Sequence, residues 1–213
     1  MALTGVTVFL SAFLLFLVQP IVAKLILPRF GGGVAVWATC LVFFQAVLLL
    51  GYAFAHQLVQ RGHSRGLKAA HIVLLLASLA LLPIVPGAPG PGQAQWAPGP
   101  QILLLLVLTI GLPFTLLAMT SPLLQAWTAA SKTAGNPYRL FAVSNLASLA
   151  ALLAYPWLIE PWMRTATQGR VWSAAYAAYV LALCAISLRR RGGLAFLDYS
   201  RQRKDDSHYE QSQ

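Results

Sequence analysis

Long apolar runs separated by short polar connections dominate this chain. A helix needs about 20 apolar residues to cross the hydrocarbon core of a bilayer. We predict six transmembrane helices, at residues 4–27, 34–58, 69–85, 101–127, 138–159 and 171–188. The predicted fold class is all-α: a polytopic six-helix bundle over residues 1–188, followed by a basic, flexible cytoplasmic tail at residues 189–213.

The composition agrees with a chain that is solvated mainly by lipid. Charged residues make up only 9% and hydrophobic residues 58%, whereas an ordinary soluble domain has about 25% charged residues. The net charge is +10, but the basic residues lie in the short connections and not along one face or arm. We therefore expect the bilayer, including its anionic lipids, to be the partner of these charges, and we expect no binding of nucleic acid.

The placement of the basic residues predicts how the chain is threaded. Cytoplasmic connections of membrane proteins carry an excess of Lys and Arg. If the N-terminus is inside, eleven of the 15 basic residues fall on the cytoplasmic side and four on the outer side. The sequence therefore predicts a multi-pass protein with both termini in the cytoplasm. The first apolar run lacks a basic start and a clean cleavage site, so we expect it to be retained as a helix.

Prolines interrupt several of the predicted spans, and we expect helix breaks at Pro20, Pro113, Pro122 and Pro156. The first and fourth spans each carry two prolines eight or nine residues apart, at 20 and 28 and at 113 and 122, which indicates a three-plus-three internal repeat. Proline frees the backbone carbonyl one turn earlier, and interrupted helices at matching places in two halves are typical of transporter binding sites. The alternative is that the prolines only bend the helices.

Polar side chains inside the apolar runs are candidates for lining a solute cavity. They are Gln19, Gln45, Ser144, Asn145, Ser148 and Tyr155. In the fifth span, Asn145, Ser148, Leu152 and Tyr155 follow helical spacing on one face. The alternative interpretation is that these amides and hydroxyls hydrogen-bond one helix to another, which contributes about 0.6 kcal/mol per bond on average.

One charge lies inside the first span. A buried ammonium is costly, so Lys24 must pair, line a wet cavity or extend its amine to the outer surface. Glu160 ends the fifth span on the same side of the membrane, so Lys24–Glu160 and Arg29–Glu160 are the candidate charge pairs. Glu160 is also the only acidic residue before Asp198. It is therefore either a proton carrier or a cap at the membrane surface.

Residue patterns for catalysis or metal binding are missing from the sequence. We find no Ser-His-Asp arrangement, carboxylate pair, or cluster of Cys and His with zinc spacing. We therefore expect neither an enzyme active site nor a metal or cofactor site. Enzymatic activity would require the recruitment of a separate synthase-like partner.

The connection after the second span, GYAFAHQLVQRGHSRGLKAAH, resembles a cytoplasmic loop of major facilitator transporters. That family has a glycine- and arginine-containing loop between its second and third helices. Gly51, Arg61, Gly62 and Arg65 match it. The acidic residue of the family motif is absent here, and Ala55 and His56 occupy the region.

Two further stretches, FLVQPIVAKLILPRFGG and SPLLQAW…NPYRLFAVSNLASLAALLAYPWLIEP, resemble the membrane region of bacterial fused major-facilitator/spermidine-synthase-like proteins. The resemblance covers roughly residues 8–188. It implies the first six-helix half of a major-facilitator-like transporter in the bacterial inner membrane. The synthase-like soluble domain of that family has no counterpart in this sequence, so aminopropyl transfer is not implied.

Two functions follow from these expectations. The first is a half-transporter-like unit that forms a solute-binding or translocation cavity with a second copy or another membrane subunit. The second is a non-transporting subunit or anchor that packs against a larger membrane complex or a soluble enzyme. The sparse charge inside the spans favours the second function, whereas the paired prolines and the cytoplasmic loop favour the first.

Overall fold

A computed structural model describes residues 2–61, 65–84, 97–129 and 137–189, and the predicted tail after Arg189 lies outside these ranges. The regular secondary structure in the described ranges is helical throughout. The α-helices are α1 (Ala2–Phe30), α2 (Val34–Gln60), α3 (Arg65–Ser78), α4 (Pro98–Leu106), α5 (Leu112–Ala129), α6 (Pro137–Ala154) and α7 (Thr165–Arg189). A 3₁₀ turn, Leu79–Leu81, extends α3, while π-helical segments join α4 to α5 (Val107–Gly111) and extend α6 (Tyr155–Ile159).

Five helical regions are long and apolar enough to cross a membrane, and these confirm the all-α class. They are Leu3–Phe30, Val34–Gln60, Pro98–Ala129, Tyr138–Ile159 and Thr165–Ser187. The predicted third span is a shorter apolar helix, Ala69–Leu81. The length and composition of these helices fit an integral membrane protein. The sixth predicted span, 171–188, begins earlier in the structure, where α7 starts at Thr165.

The first and fourth spans occupy the centre of the bundle. Helix α1 packs against α5, α6 and α7, and α5 packs against α1, α2 and α6. Consequently α1 and α5 are extensively buried, whereas α2 and α6 leave most of their apolar surface exposed. In a bilayer those exposed faces contact either lipid or a neighbouring subunit.

The proline positions differ in their effect on the helices. Helix α1 continues through Pro20, and α5 continues through Pro122, so the breaks predicted at these two positions are wrong. Pro113 and Pro156 instead lie at the two π-helical segments. A proline lacks the N–H that would bond the carbonyl four residues earlier, and a π-helical turn is one way in which a helix absorbs that loss. Of the four prolines, Pro113 and Pro156 are therefore the two that coincide with a change of helix type.

Gly51 has a packing position and does not belong to a loop. Helix α2 runs to Gln60 and α3 begins at Arg65, so the connection is far shorter than the loop predicted from the sequence, and Gly62 lies outside the described residues. A Cβ atom on Gly51 would lie 2.6 Å from the Ala118 Cβ in α5 and 3.1 Å from the Thr115 carbonyl oxygen. Glycine therefore allows α2 and α5 to approach closely, as small residues do between membrane helices.

Aromatic side chains of α7 bond it to three other helices inside the bundle. The Trp172 Nε1–H donates to the Leu14 carbonyl oxygen of α1 at 2.9 Å. The Tyr176 and Ser78 hydroxyls are 2.8 Å apart, and the Tyr179 hydroxyl lies 2.5 Å from the Thr120 Oγ1 of α5. Trp172, Tyr176 and Tyr179 are all fully buried. These polar groups therefore hold α7 against α1, α3 and α5, and we call the three residues the α7 aromatic seam.

Candidate functional site

The middle of helix α1 is buried except along one line of residues. Between residues 11 and 24 the half-buried positions recur at intervals of three or four residues, with one adjacent pair: Phe13, Phe16, Gln19, Pro20 and Lys24. This recurrence is the period of one helix face. We call it the α1 stripe. Two of the polar residues picked out in the sequence, Gln19 and Lys24, lie on it.

A hydrogen-bond chain joins α5 to α6 at the polar positions. The Gln125 Nε2–H donates to the Ser121 Oγ at 2.9 Å, and the Ser121 hydroxyl donates to the Ser144 Oγ at 3.1 Å. All three side chains are half-buried. The sequence prediction included Ser144 and missed Ser121 and Gln125. The sequence did offer one indication of these two residues: they are four residues apart, which places both on one face of the helix.

The predicted polar face of the fifth span is divided by the packing of α6. Ala147 and Ala151 are fully buried, and Tyr155 is 8% exposed on the same side. The half-buried Ser148 donates its hydroxyl to the Ser144 carbonyl oxygen at 2.9 Å. Asn145 and Leu152, in contrast, are exposed. The four residues that follow helical spacing therefore differ in burial: Tyr155 is buried and Ser148 half-buried, whereas Asn145 and Leu152 are exposed.

Gln45 also points away from the bundle. The buried positions of α2 include Cys40, Phe43, Phe44, Val47 and Gly51, and Gln45 lies exposed on the other side of the helix. The proposed cavity residues thus fall into two groups. Gln19, Ser144, Ser148 and Tyr155 lie within or at the edge of the packed bundle, whereas Gln45 and Asn145 lie on its outer surface.

The two least buried spans lie on neighbouring sides of α5. Gly51 of α2 meets Ala118, and Ser144 of α6 meets Ser121. Since successive residues of an α-helix are about 100° apart, Ala118 and Ser121 point in directions separated by about 60°. The half-buried Pro122 and Gln125 lie on this same accessible side of α5. The polar positions of α5 are therefore reached from the side between α2 and α6.

An ion pair ties α1 to the end of the fifth span. The Lys24 Nζ lies 2.6 Å from the Glu160 Oε1, so the structure forms the predicted Lys24–Glu160 pair. The Glu160 backbone N–H donates to the Tyr155 carbonyl oxygen at 2.8 Å, which fixes the carboxylate next to the π-helical segment. Arg29 lies exposed in the last turn of α1. The ammonium is thus neutralised by a carboxylate from the adjoining helix.

Tyr155 begins the π-helical segment that ends directly before Glu160. Its hydroxyl is buried and has no hydrogen-bond partner among the described residues. Unpaired buried hydroxyls are uncommon in folded proteins and cost about 1–3 kcal/mol. The end of the fifth span therefore carries an accessible ion pair and, one turn earlier, a buried hydroxyl.

No protein-family model, curated protein or solved structure matches the chain. Within the described residues there is also no group of three or more His, Cys, Asp or Glu side chains that could hold a metal ion.

Proposed function

We propose that the chain is a half-transporter-like unit of the bacterial inner membrane, which forms a solute-binding or translocation cavity together with a second copy or another membrane subunit. In this proposal the five long helices and the shorter apolar helix supply six passes, as in one half of a major-facilitator-like transporter. Both termini then lie in the cytoplasm. The sequence resemblance to the fused major-facilitator/spermidine-synthase-like family supports the same arrangement.

The observation that carries the proposal is the polarity of the α1 stripe. The middle of α1 is otherwise buried, and the side that it leaves accessible presents Gln19 and Lys24 next to Phe13, Phe16 and Pro20. A stripe that faced only lipid would be apolar, because polar and ionisable groups are expensive in hydrocarbon. The polar residues of the stripe therefore support contact with a wet cavity or with another subunit.

The open side between α2 and α6 supports the need for a second unit. Ser121 and Gln125 are accessible from this side, and Asn145 lies exposed on the flanking helix. A single bundle leaves these groups uncovered, and a second unit placed against the same side would enclose them. Substrate sites of many transporters lie between two such units, near the middle of the membrane.

One observation favours a non-transporting membrane subunit or anchor as the alternative. Lys24, the charge deepest in α1, is already paired with Glu160. Many coupled transporters use intramembrane charges as relays, and a permanently closed ion pair would instead hold two helices together. In this alternative the exposed faces of α2 and α6 are packing surfaces for a larger complex.

Native mass spectrometry of the gently solubilised protein distinguishes the two functions by the subunit composition of the complex. We expect two copies of the chain, or one copy with another polytopic membrane protein. Stable association with a soluble enzyme or a large foreign complex would instead support the anchor.

Cysteine accessibility tests the wet cavity directly. In a background of Cys40→Ala and Cys184→Ala, Gln19→Cys and Ser121→Cys are expected to react with a water-soluble thiol reagent. Leu149→Cys is the matched control, because Leu149 is exposed on an apolar part of α6 and is expected to contact lipid. If all three positions are equally unreactive, there is no aqueous cavity and the proposal fails.

Uptake into proteoliposomes tests transport itself. With a panel of radiolabelled amino acids, sugars and organic acids, we expect uptake of at least one class. Gln19→Leu and Asn145→Leu should abolish that uptake while the protein remains folded. If wild-type vesicles take up none of these solutes, the anchor becomes the better proposal.

A further inference from the structure

Gln45 is an amide in the middle of an apolar helix. Helix α2 runs from Val34 to Gln60, so Gln45 lies two residues from its midpoint, Val47. The side chain is exposed on the outer surface of the bundle, and its amide forms no hydrogen bond with the described residues. Lipid tails have no hydrogen-bonding groups, and an unpaired amide in an apolar environment is costly. The position therefore indicates that a polar group covers Gln45 in the assembled protein.

The residues around Gln45 form a continuous exposed face of α2. Exposed positions recur at alternating intervals of three and four residues: Ala35, Ala38, Val42, Gln45 and Leu49. This is the spacing with which one helix packs along another. The alternative spacing through Leu48 is not available, because Leu48 is half-buried against the core of the bundle. We call the five residues the α2 face, and it is apolar apart from one amide.

The chemistry of this amide selects the partner. A glutamine side chain has both N–H donors and a carbonyl acceptor, so two glutamines related by a twofold axis can donate to each other. Asn and Gln side chains hydrogen-bond across membrane helices, and a single amide in an otherwise apolar helix contact fixes its register. A second copy of α2 therefore supplies the missing hydrogen bonds with a residue that is already present.

The depth of Gln45 follows from the contact between α2 and α5. The Phe44 and Phe114 rings have centroids 5.0 Å apart, and Gly51 meets Ala118 further along both helices. The two helices therefore run in the same direction. Gln45 precedes Gly51 by six residues, so it lies about 9 Å from that contact along the helix axis.

Asn145, the exposed amide of α6, lies at a different depth. Its neighbour Ser144 is bonded to Ser121, which follows Ala118 by three residues and is therefore about 5 Å further along α5. The two exposed amides are thus separated by roughly 14 Å in depth. A twofold axis along the membrane normal keeps each residue at the depth of its counterpart. Gln45 can therefore pair with Gln45 of a second copy, but not with Asn145 of that copy.

We propose that two copies of this chain associate through the α2 face, with their Gln45 amides paired across a twofold axis normal to the membrane. The inference rests on the proposed function, since it identifies the second unit of the half-transporter as an identical copy. It also assigns a role to Gln45, which lies outside the packed bundle. The α2 face buries no charge in this contact, and the amide pair sets the register of the two helices.

Disulfide formation between copies in native membranes tests the contact. In the full chain carrying Cys40→Ala and Cys184→Ala, Leu49→Cys is compared with Leu50→Cys. Both leucines are exposed, but they point about 100° apart around α2, so only Leu49 belongs to the α2 face. We expect an oxidant to convert Leu49→Cys into a covalent dimer that contains two differently tagged copies, at a yield independent of expression level. Equal yields for the two variants, or no dimer, overturn the proposal.

Substitutions of Gln45 test the amide pair itself. Energy transfer between donor-labelled and acceptor-labelled copies is measured in lipid vesicles as the protein is diluted with lipid. Gln45→Leu is expected to raise the dissociation constant about fivefold to tenfold, as for loss of a reciprocal amide pair between membrane helices, and Gln45→Asn to restore most of the affinity. Asn145→Leu is the matched control and should leave the constant unchanged. An unchanged constant in Gln45→Leu, or an equal rise in Asn145→Leu, overturns the proposal.

The association and the transport function fail in different experiments. If Leu49→Cys forms the dimer and the vesicles take up no solute, the α2 contact stands and the transport function is lost. If solute is taken up while native mass spectrometry finds one copy bound to a different membrane protein, the half-transporter stands and the paired Gln45 amides are refuted.

Discussion

Gly51 of α2 and Ala118 of α5 are in such close contact that a methyl group on the glycine would lie 2.6 Å from the alanine Cβ. The Thr115 carbonyl oxygen, 3.1 Å from the same position, belongs to the backbone and cannot rotate away. The contact between the two helices thus depends on the absence of one side chain.

Gly51→Ala is therefore expected to destabilise the protein, by about 1–3 kcal/mol for an overpacked contact, although alanine favours helix formation. Thermal unfolding of the purified protein in detergent measures the effect. Gly5→Ala is the matched control, because a Cβ atom there has nothing within 4 Å. Gly51→Ala combined with Ala118→Gly should recover part of the loss. Equal stability of Gly51→Ala and Gly5→Ala would contradict the observed helix approach.

The hydrogen bond between Thr120 and Tyr179 can be measured by a double-mutant cycle. Thr120→Val and Tyr179→Phe each remove one hydroxyl from the 2.5 Å contact between α5 and α7. We expect a coupling of about 0.6 kcal/mol, and no more than about 1.7 kcal/mol, as for other bonds between membrane helices. Tyr52→Phe serves as the control for loss of a hydroxyl at an exposed position. A coupling of zero would show that the two hydroxyls act independently.

Tryptophan fluorescence should distinguish the α7 aromatic seam from the exposed edge of the bundle. Trp172 is 1% exposed and stacks on Tyr176 with ring centroids 5.2 Å apart, whereas Trp162 is 82% exposed. In variants that retain a single tryptophan, Trp172 is expected to emit at shorter wavelength and to resist quenching by iodide. Trp162 should be quenched readily. Similar quenching of both would mean that α7 does not pack as described.

Thiol labelling in intact spheroplasts tests the predicted orientation. In the background without Cys40 and Cys184, a membrane-impermeant maleimide should label Trp162→Cys, which follows the fifth span. Gln60→Cys, at the end of α2, should react only after permeabilisation. The basis is the excess of basic residues on the predicted cytoplasmic side. The opposite labelling pattern would place both termini outside and reverse the orientation.

Hydropathy was sufficient to predict where most spans lie. The second predicted span, 34–58, differs by only two residues from Val34–Gln60, because a long apolar run in a membrane protein has few alternatives to a helix. The start of α7 was missed because residues 165–170 are polar and carry no hydropathy signal. The continuity of α1 at Pro20 was missed for a different reason: sequence shows that a hydrogen bond is lost but not whether neighbouring helices compensate for it.

The candidate site was only partly predictable, because helical spacing gives relative directions and not the direction of the core. Asn145 and Tyr155 are separated by about 80° around an ideal helix, so they seemed to share a face. The edge of the contact between α6 and the rest of the bundle falls between them. Pairings such as Ser121 with Ser144 depend on the arrangement of whole helices, and neither residue type nor spacing reveals them. The Lys24–Glu160 pair was predictable because few charges were available on that side.

The α7 aromatic seam should tolerate fewer amino-acid substitutions during evolution than the side of the bundle between α2 and α6. Each hydroxyl or indole of the seam has a partner on another helix, so a substitution there removes a bond and perturbs two elements at once. On the side between α2 and α6, Ser121 is half-buried and Asn145 is exposed. Substitutions at these two positions are therefore expected to be tolerated better than substitutions in the seam.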